Sequence, residues 1–141
     1  LKKIVTMLFL LIFFGGCAAH DLHHNAKNSL DYEGVYVGTI PCADCEGIRT
    51  VIRILPNLHY EKEQVYLGKS FDTYASKGSF KWHPNGSIVW FDDGSSFFVG
   101  ENYILMLDAN DKKIEGALKD FYKLEKFGVQ YVLPEDANGA F

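Results

Sequence analysis

From Tyr32 onward, runs rich in Tyr, Phe, Trp, Val and Ile are cut by Gly, Asn and Asp clusters. Cuts about every 8–12 residues leave room for strands but not for helices of several turns. Ile48, Thr50, Ile52 and Ile54 alternate with Arg49, Val51 and Arg53, so one face can be buried and the other wet. Phe80 and Trp82 alternate with Ser79, Lys81 and His83 in the same way. Asn85-Gly86 then separates two such runs, and both residues tolerate the positive φ of a tight hairpin. Asp93-Gly94 has the same part before Ser96 to Val99. Tyr103, Leu105 and Leu107 share one face of the next strand, and Asp108 to Lys113 form a polar turn. The spacing predicts eight strands, at 34–40, 48–55, 58–66, 77–82, 87–91, 96–100, 103–107 and 120–125, the last with Tyr122 and Leu124 inward. Ile114 to Leu118 is at most one short helix.

Consecutive strands on tight turns make an antiparallel meander, and closing it removes the edges that invite aggregation. The expected fold is therefore all-β, a small barrel over residues 32–126. At eight strands its interior is either just filled by side chains or holds one small ligand. Ile52, Ile54, Phe80, Trp82, Trp90, Tyr103 and Leu105 are expected to share that interior, with Arg49, Arg53 and Lys81 in water. Aromatic residues make up 15% of the chain, enough to fill a barrel or to line a pocket for a small apolar molecule. The tail 127–141 is expected to add at most an edge strand, at Val129 to Leu133.

Ahead of this domain lies a different kind of segment. Lys2 and Lys3 precede Ile4 to Phe14, which is apolar except for Thr6. That is the build of an export signal, and it is about half the length needed to span a bilayer. Phe14-Gly15-Gly16-Cys17 resembles the lipobox of bacterial lipoproteins. The resemblance implies cleavage after residue 16 and a lipid on Cys17 that anchors the chain to a membrane. The alternative is an ordinary signal cut after Ala19, with Cys17 discarded. Residues 17–31 are polar and aperiodic and are expected to be a flexible tether, reaching roughly 20 Å on average. Ala18 is not the Asp that retains lipoproteins at the inner membrane, so the expected site is the outer membrane, facing the periplasm. Within the tether, His20, His23 and His24 with Asp21 can hold a divalent metal loosely, or be ordinary spacer residues. His59 and His83 are expected on the solvated face.

Removal of 16 of the 141 residues leaves 125, and loss of Lys2 and Lys3 leaves 12 bases against 18 acids, a formal charge of −6. That balance offers no footprint for nucleic acid. No G-x-S-x-G, P-loop or H-E-x-x-H pattern is present, and an enzyme is not expected.

Two cysteines remain, in the segment Tyr36-x-Gly38-x-x-Pro41-Cys42-x-x-Cys45-x-Gly47-Ile48-x-Thr50. An exported pair meets an oxidising compartment, which favours a Cys42–Cys45 disulfide. Reduced, two thiolates suit Cu(I), and a sensory switch is the third reading. Thioredoxin-like catalysis is disfavoured, because Asp44 and Glu46 oppose a thiolate and a strand follows where a helix is needed. The segment, with "PCADCEGI" at its centre, resembles the N-terminal domain of the NlpE family over residues 32–125. That resemblance implies a lipocalin-like barrel on the outer membrane, copper homeostasis or envelope-stress signalling, and a stress-sensor protein as partner. It requires no cofactor and leaves a copper ion as the candidate metal. Family members with a second, oligonucleotide-binding-type domain carry it downstream, so roles of that domain are not expected here. The rival function is a lipocalin-like carrier.

Overall fold

The structure, a computed structural model, describes residues 24–127. Cys17, His20, His23 and the strand expected at Val129 to Leu133 lie outside the described residues. Eight antiparallel strands form a closed barrel in sequence order: β1 Gly34–Ile40, β2 Gly47–Leu55, β3 His59–Leu67, β4 Thr73–Trp82, β5 Ile88–Phe91, β6 Ser96–Gly100, β7 Tyr103–Met106 and β8 Lys123–Phe127. The last strand returns to the first, pairing Phe127 with Val35 and Glu125 with Val37. Short 3-10 turns occupy Pro56–Leu58 and Lys119–Tyr122.

Strand parity sets the interior. Tyr36, Ile52, Ile54, Tyr60, Phe80, Val89, Phe91, Phe97, Val99, Ile104 and Leu124 are buried, and the aromatic members pack as rings on rings. Tyr60 stacks on Phe91 at 3.9 Å, and Phe91 in turn meets Phe97 at 5.0 Å and Phe80 at 6.0 Å. Trp82 points inward, half-buried against this core and edge-on to Tyr32. Rings that fill the barrel in this way occupy the space an apolar ligand would need, which speaks against the carrier reading.

Two strands have the opposite register from the one expected. Trp90, Tyr103 and Leu105 face outward, and their neighbours Val89, Phe91 and Ile104 face the core. Outside, Trp90 can satisfy its indole N–H, which donates to Asp111 Oδ2 at 2.9 Å; inside, that donor needs a partner among apolar rings. Tyr103 lies on the outer face under the Lys123 ammonium, 4.8 Å from its ring centre. Arg49 and Lys81 are exposed and Arg53 is half-buried on the outer face. The final strand starts at Lys123 instead of Asp120, with Leu124 buried and Tyr122 half-buried in the preceding 3-10 turn.

The expected tether is shorter than residues 17–31, because part of it plugs the barrel. Helix α1, Ala26–Ser29, is capped by Asn25, whose side chain accepts the Asn28 N–H at 3.1 Å. Ala26 is buried, and Leu30 and Tyr32 pack against the core. The Lys27 N–H donates to the Gly86 carbonyl at 2.9 Å. Gly86, at φ 68°, leaves the space in which the Asn25 side chain sits. This plugged end also holds the 3-10 turn Pro56–Leu58 and the turns between β4 and β5 and between β6 and β7. The opposite rim holds the turns after β1, β3 and β5 and the long connection after β7.

Strand β4 meets β5 only over Phe80–Trp82, next to the plugged end, and toward the rim its Thr73–Ser79 stretch pairs with β3 alone. Asp92 closes the split. Its carboxylate accepts the Ser79 N–H at 3.0 Å and the Tyr60 hydroxyl at 2.8 Å. Asp93 is ion-paired with Lys62 and accepts the Ser95 N–H. Burial alone would raise the Asp93 carboxyl, but hydrogen bonds from Lys62 and Ser95 outweigh it and hold it below the ordinary value. Hydrogen bonds from Ser79 and Tyr60 lower Asp92 as well. Groups depressed in the folded state stabilise it fully above their unfolded value, about 3.9 for Asp, and lose that contribution as pH falls through the folded value. The Asp93→Asn variant should therefore be less stable near neutrality and show a flatter acid limb below about pH 4. Denaturant melts across pH check this, and an acid limb identical to the parent's would remove Asp93 from the account.

Candidate functional site

At the rim, β1 ends on buried Ile40, and Pro41 stops it because proline cannot donate to the ladder. Cys42-Ala43-Asp44-Cys45-Glu46 then turns the chain back, and Ile40 pairs with Ile48 across the neck of the turn. Gly47 opens β2 at φ 152°, and a Cβ there would lie 2.7 Å from Thr39 Cγ2. Only glycine suits that position. Cys42 and Cys45 are joined as a disulfide, S–S 2.10 Å and Cα–Cα 5.3 Å. Both are half-buried, while Ala43, Asp44 and Glu46 are exposed.

Two different surfaces flank the bond. On one side the turn after β3 supplies Lys69, whose ammonium donates to Asp44 Oδ2 at 2.6 Å. The pair holds the Asp44 carboxyl below its ordinary value and the Lys69 ammonium above its own, first through the hydrogen bond and then through charge. The Glu46 N–H donates to the Leu67 carbonyl at 3.1 Å, which ties the same two turns together. On the other side lies a groove of about 330 Å³ lined by Thr39, Ile40, Pro41, Cys42, Glu46, Leu118 and Phe121. Leu118 and Phe121, from the connection after β7, are more than half exposed. Neither Lys69 nor the Leu118/Phe121 pair was named as a site residue from the sequence. Their loops carry no motif, and only the barrel closure brings them beside the cysteines.

Chemically, the turn is a disulfide with one offset acid. Among the described residues, Cys42, Asp44 and Cys45 are the cluster whose donor atoms lie close enough together to share a metal, all within 4.8 Å. Bonded sulfurs are not thiolates, so the oxidised turn does not fit copper. Reduction would release two soft donors, and Asp44 could join them only by leaving Lys69. His24 is at the opposite, plugged end, with Nδ1 3.2 Å from the Ser29 hydroxyl. Of the histidine candidates only His24 is among the described residues, and the fold does not bring it to the cysteines. His59 is exposed, and His83 is half-buried, its Nδ1 accepting the Asn85 N–H at 3.0 Å.

The disulfide closes too short a loop to hold the fold. The chain-entropy relation gives about 2 kcal/mol for it. The Cys42→Ser/Cys45→Ser double variant is therefore expected to fold, losing at most about 2 kcal/mol in denaturant melts. A double variant that cannot fold would make the bond a structural necessity.

No curated protein matches the chain. A candidate lipoprotein from Shewanella oneidensis, known from a crystal structure, shares 42% identity at a TM-score of 0.72, covering 74% of this chain and 97% of that one. The crystal structure of the Cpx pathway activator NlpE from Escherichia coli matches at 26% identity and a TM-score of 0.50, over 59% of this chain and 46% of that one. The sequence pattern of the NlpE N-terminal domain matches residues 36–117, the stretch that builds β1 to β7 and the disulfide rim, and the chain belongs to that family.

Proposed function

We propose that this chain is a non-enzymatic envelope lipoprotein of the NlpE type, held at the outer membrane by lipid on Cys17 and reporting redox or copper stress through its rim. The observation that carries the reading is the Cys42–Cys45 disulfide, set in an exposed turn between a Lys69–Asp44 pair and an apolar groove. A bond that contributes little to the fold yet borders a surface able to seat another chain suits a reporter better than a staple. Its partner is an envelope-stress sensor protein. Family membership and the Shewanella and E. coli relatives support the envelope assignment.

Three measurements test it. Cys17→Ser should abolish lipid labelling and move the processed protein to the soluble fraction, and labelling that persists would defeat the anchor. Co-sedimentation of the parent with inner-membrane markers would defeat the outer-membrane placement. In native mass spectrometry, Cu(I) should bind the reduced chain and neither the oxidised one nor the double serine variant. Uptake by the oxidised chain, unchanged in that variant, would move the metal to His20, His23 and His24.

A further inference from the structure

We propose that the plugged end of the barrel, led by Leu58 and flanked by Phe127, rests on the surface of a zwitterionic lipid bilayer and holds the disulfide rim away from it. The inference rests on the lipid anchor at Cys17 and goes beyond it by assigning the docking face. Asn25 is fixed at the plugged end by its cap on α1 and its seat against Gly86. Eight Cα–Cα steps separate it from Cys17, a span of at most about 28 Å. Strand β1 alone has seven residues between that end and the rim, about 23 Å along the strand and about 16–19 Å along the axis at the usual tilt of barrel strands. Seating the rim on the membrane would hold the leader, along the barrel wall and past the rim turn, beyond its average random-coil reach of about 16 Å. Seating the plugged end leaves slack, so chain length selects that end.

The surface there suits neutral lipid. Leu58 is 43% exposed at a φ of 61°, a backbone conformation unfavourable for a leucine and one that presents its side chain at the tip of the turn after β2. Phe127 is 45% exposed at the end of β8. Nearby charges are mixed in sign: Lys126 pairs with Asp31 at 3.6 Å, and Lys27, Glu33 and Glu101 are exposed. Such a face offers no basic footprint for anionic headgroups. The rim's own apolar residues, Phe71, Leu118 and Phe121, then face the aqueous compartment, where a protein can reach them.

Depth-dependent quenching tests the orientation. In a Trp90→Phe parent, Leu58→Trp and Phe71→Trp place reporters at the two ends, and His59→Trp repeats the plugged-end arm should the turn variant fold poorly. Each lipidated chain is placed in vesicles of phosphatidylcholine brominated on its acyl chains. The same mature chain, 17–141, is also coupled through the Cys17 thiol to maleimide-bearing vesicles of that lipid, so the orientation is read even where natural lipidation fails. After subtraction of the parent's constant Trp82 signal, Leu58→Trp and His59→Trp should shift to the blue on vesicles and lose emission relative to the same chain on unbrominated lipid, and Phe71→Trp should do neither. Equal emission from all reporters, or stronger quenching of Phe71→Trp, overturns the assigned face. Failure of lipidation in cells with the expected quenching in coupled vesicles would overturn only the anchor.

Discussion

Replacing Phe91 by alanine is expected to cost about 3–5 kcal/mol, while replacing its neighbour Trp90 should cost about 1 kcal/mol. The contrast reverses the usual ranking, in which tryptophan is the larger loss. Phe91 joins both halves of the barrel core: stacked on Tyr60 at 3.9 Å, it also touches Phe80 and Phe97. Truncation leaves a cavity walled by three other rings, none of which can collapse into it without leaving its own strand position. Trp90 is 38% exposed and stands against His83 with its N–H on Asp111. Its removal forfeits one partly solvated hydrogen bond and some surface contact. Urea melts of the two variants at one pH decide the matter. Equal losses, or a larger one for Trp90→Ala, would mean that β5 is shifted by one residue and that Trp90 faces the core.

The same pair shows where the sequence was readable. Eight strands, their antiparallel order and the limits of six of them to within a residue followed from alternation and from turn residues such as Asn85-Gly86 and Asp93-Gly94; β4 starts at Thr73, four residues before the expected 77, and β8 at Lys123, three after the expected 120. Register followed only where one face was plainly polar, as in β2, whose Arg49 and Arg53 leave a single choice. In β5 and β7, Ile-Val-Trp-Phe and Tyr-Ile-Leu-Met are apolar on both faces. Period-two reading there has nothing to choose with, and size is a poor guide. The choice falls to the indole N–H and the Tyr103 hydroxyl, which find partners or water outside. Residues 25–31 misled for another reason. A single turn of helix with one buried alanine has no periodicity to detect, and its docking depends on Gly86, far away in sequence. The disulfide turn was legible as a motif, but its surroundings were not. Lys69 and Phe121 arrive from two other turns and meet the cysteines only because the barrel closes.

Closure itself is the subject of the second large effect, expected for Gly38→Val. Gly38 lies on β1 just past its last pair with β8, in the segment Tyr36-x-Gly38-x-x-Pro41-Cys42. A Cβ built there would sit 2.8 Å from the Lys123 carbonyl oxygen, 3.3 Å from Leu124 Cα and 3.3 Å from Leu124 Cγ. Two of those atoms are backbone, so no rotamer change relieves the clash. Either β8 must move off β1 or the 3-10 turn before it must shift. Both alternatives disturb Leu124, which is fully buried, and the groove wall formed by Phe121. Overpacking of this kind costs about 1–3 kcal/mol, with valine at the upper end because it adds two γ-methyls to a Cβ that already clashes. Gly94→Val serves as the contrast in crowding, since a Cβ at Gly94 meets nothing within 4 Å and the cost there is the backbone's alone, at φ 89°. Amide exchange distinguishes the two. Gly38→Val should deprotect the amides of β8 and of Val35 to Val37 while leaving β3 and β4 as they were, and Gly94→Val should disturb only the turn at Asp92 to Ser95. Unchanged protection along β8 in the Gly38 variant would show that the last strand is not held against the first, and that the barrel is open at the edge beside its disulfide rim.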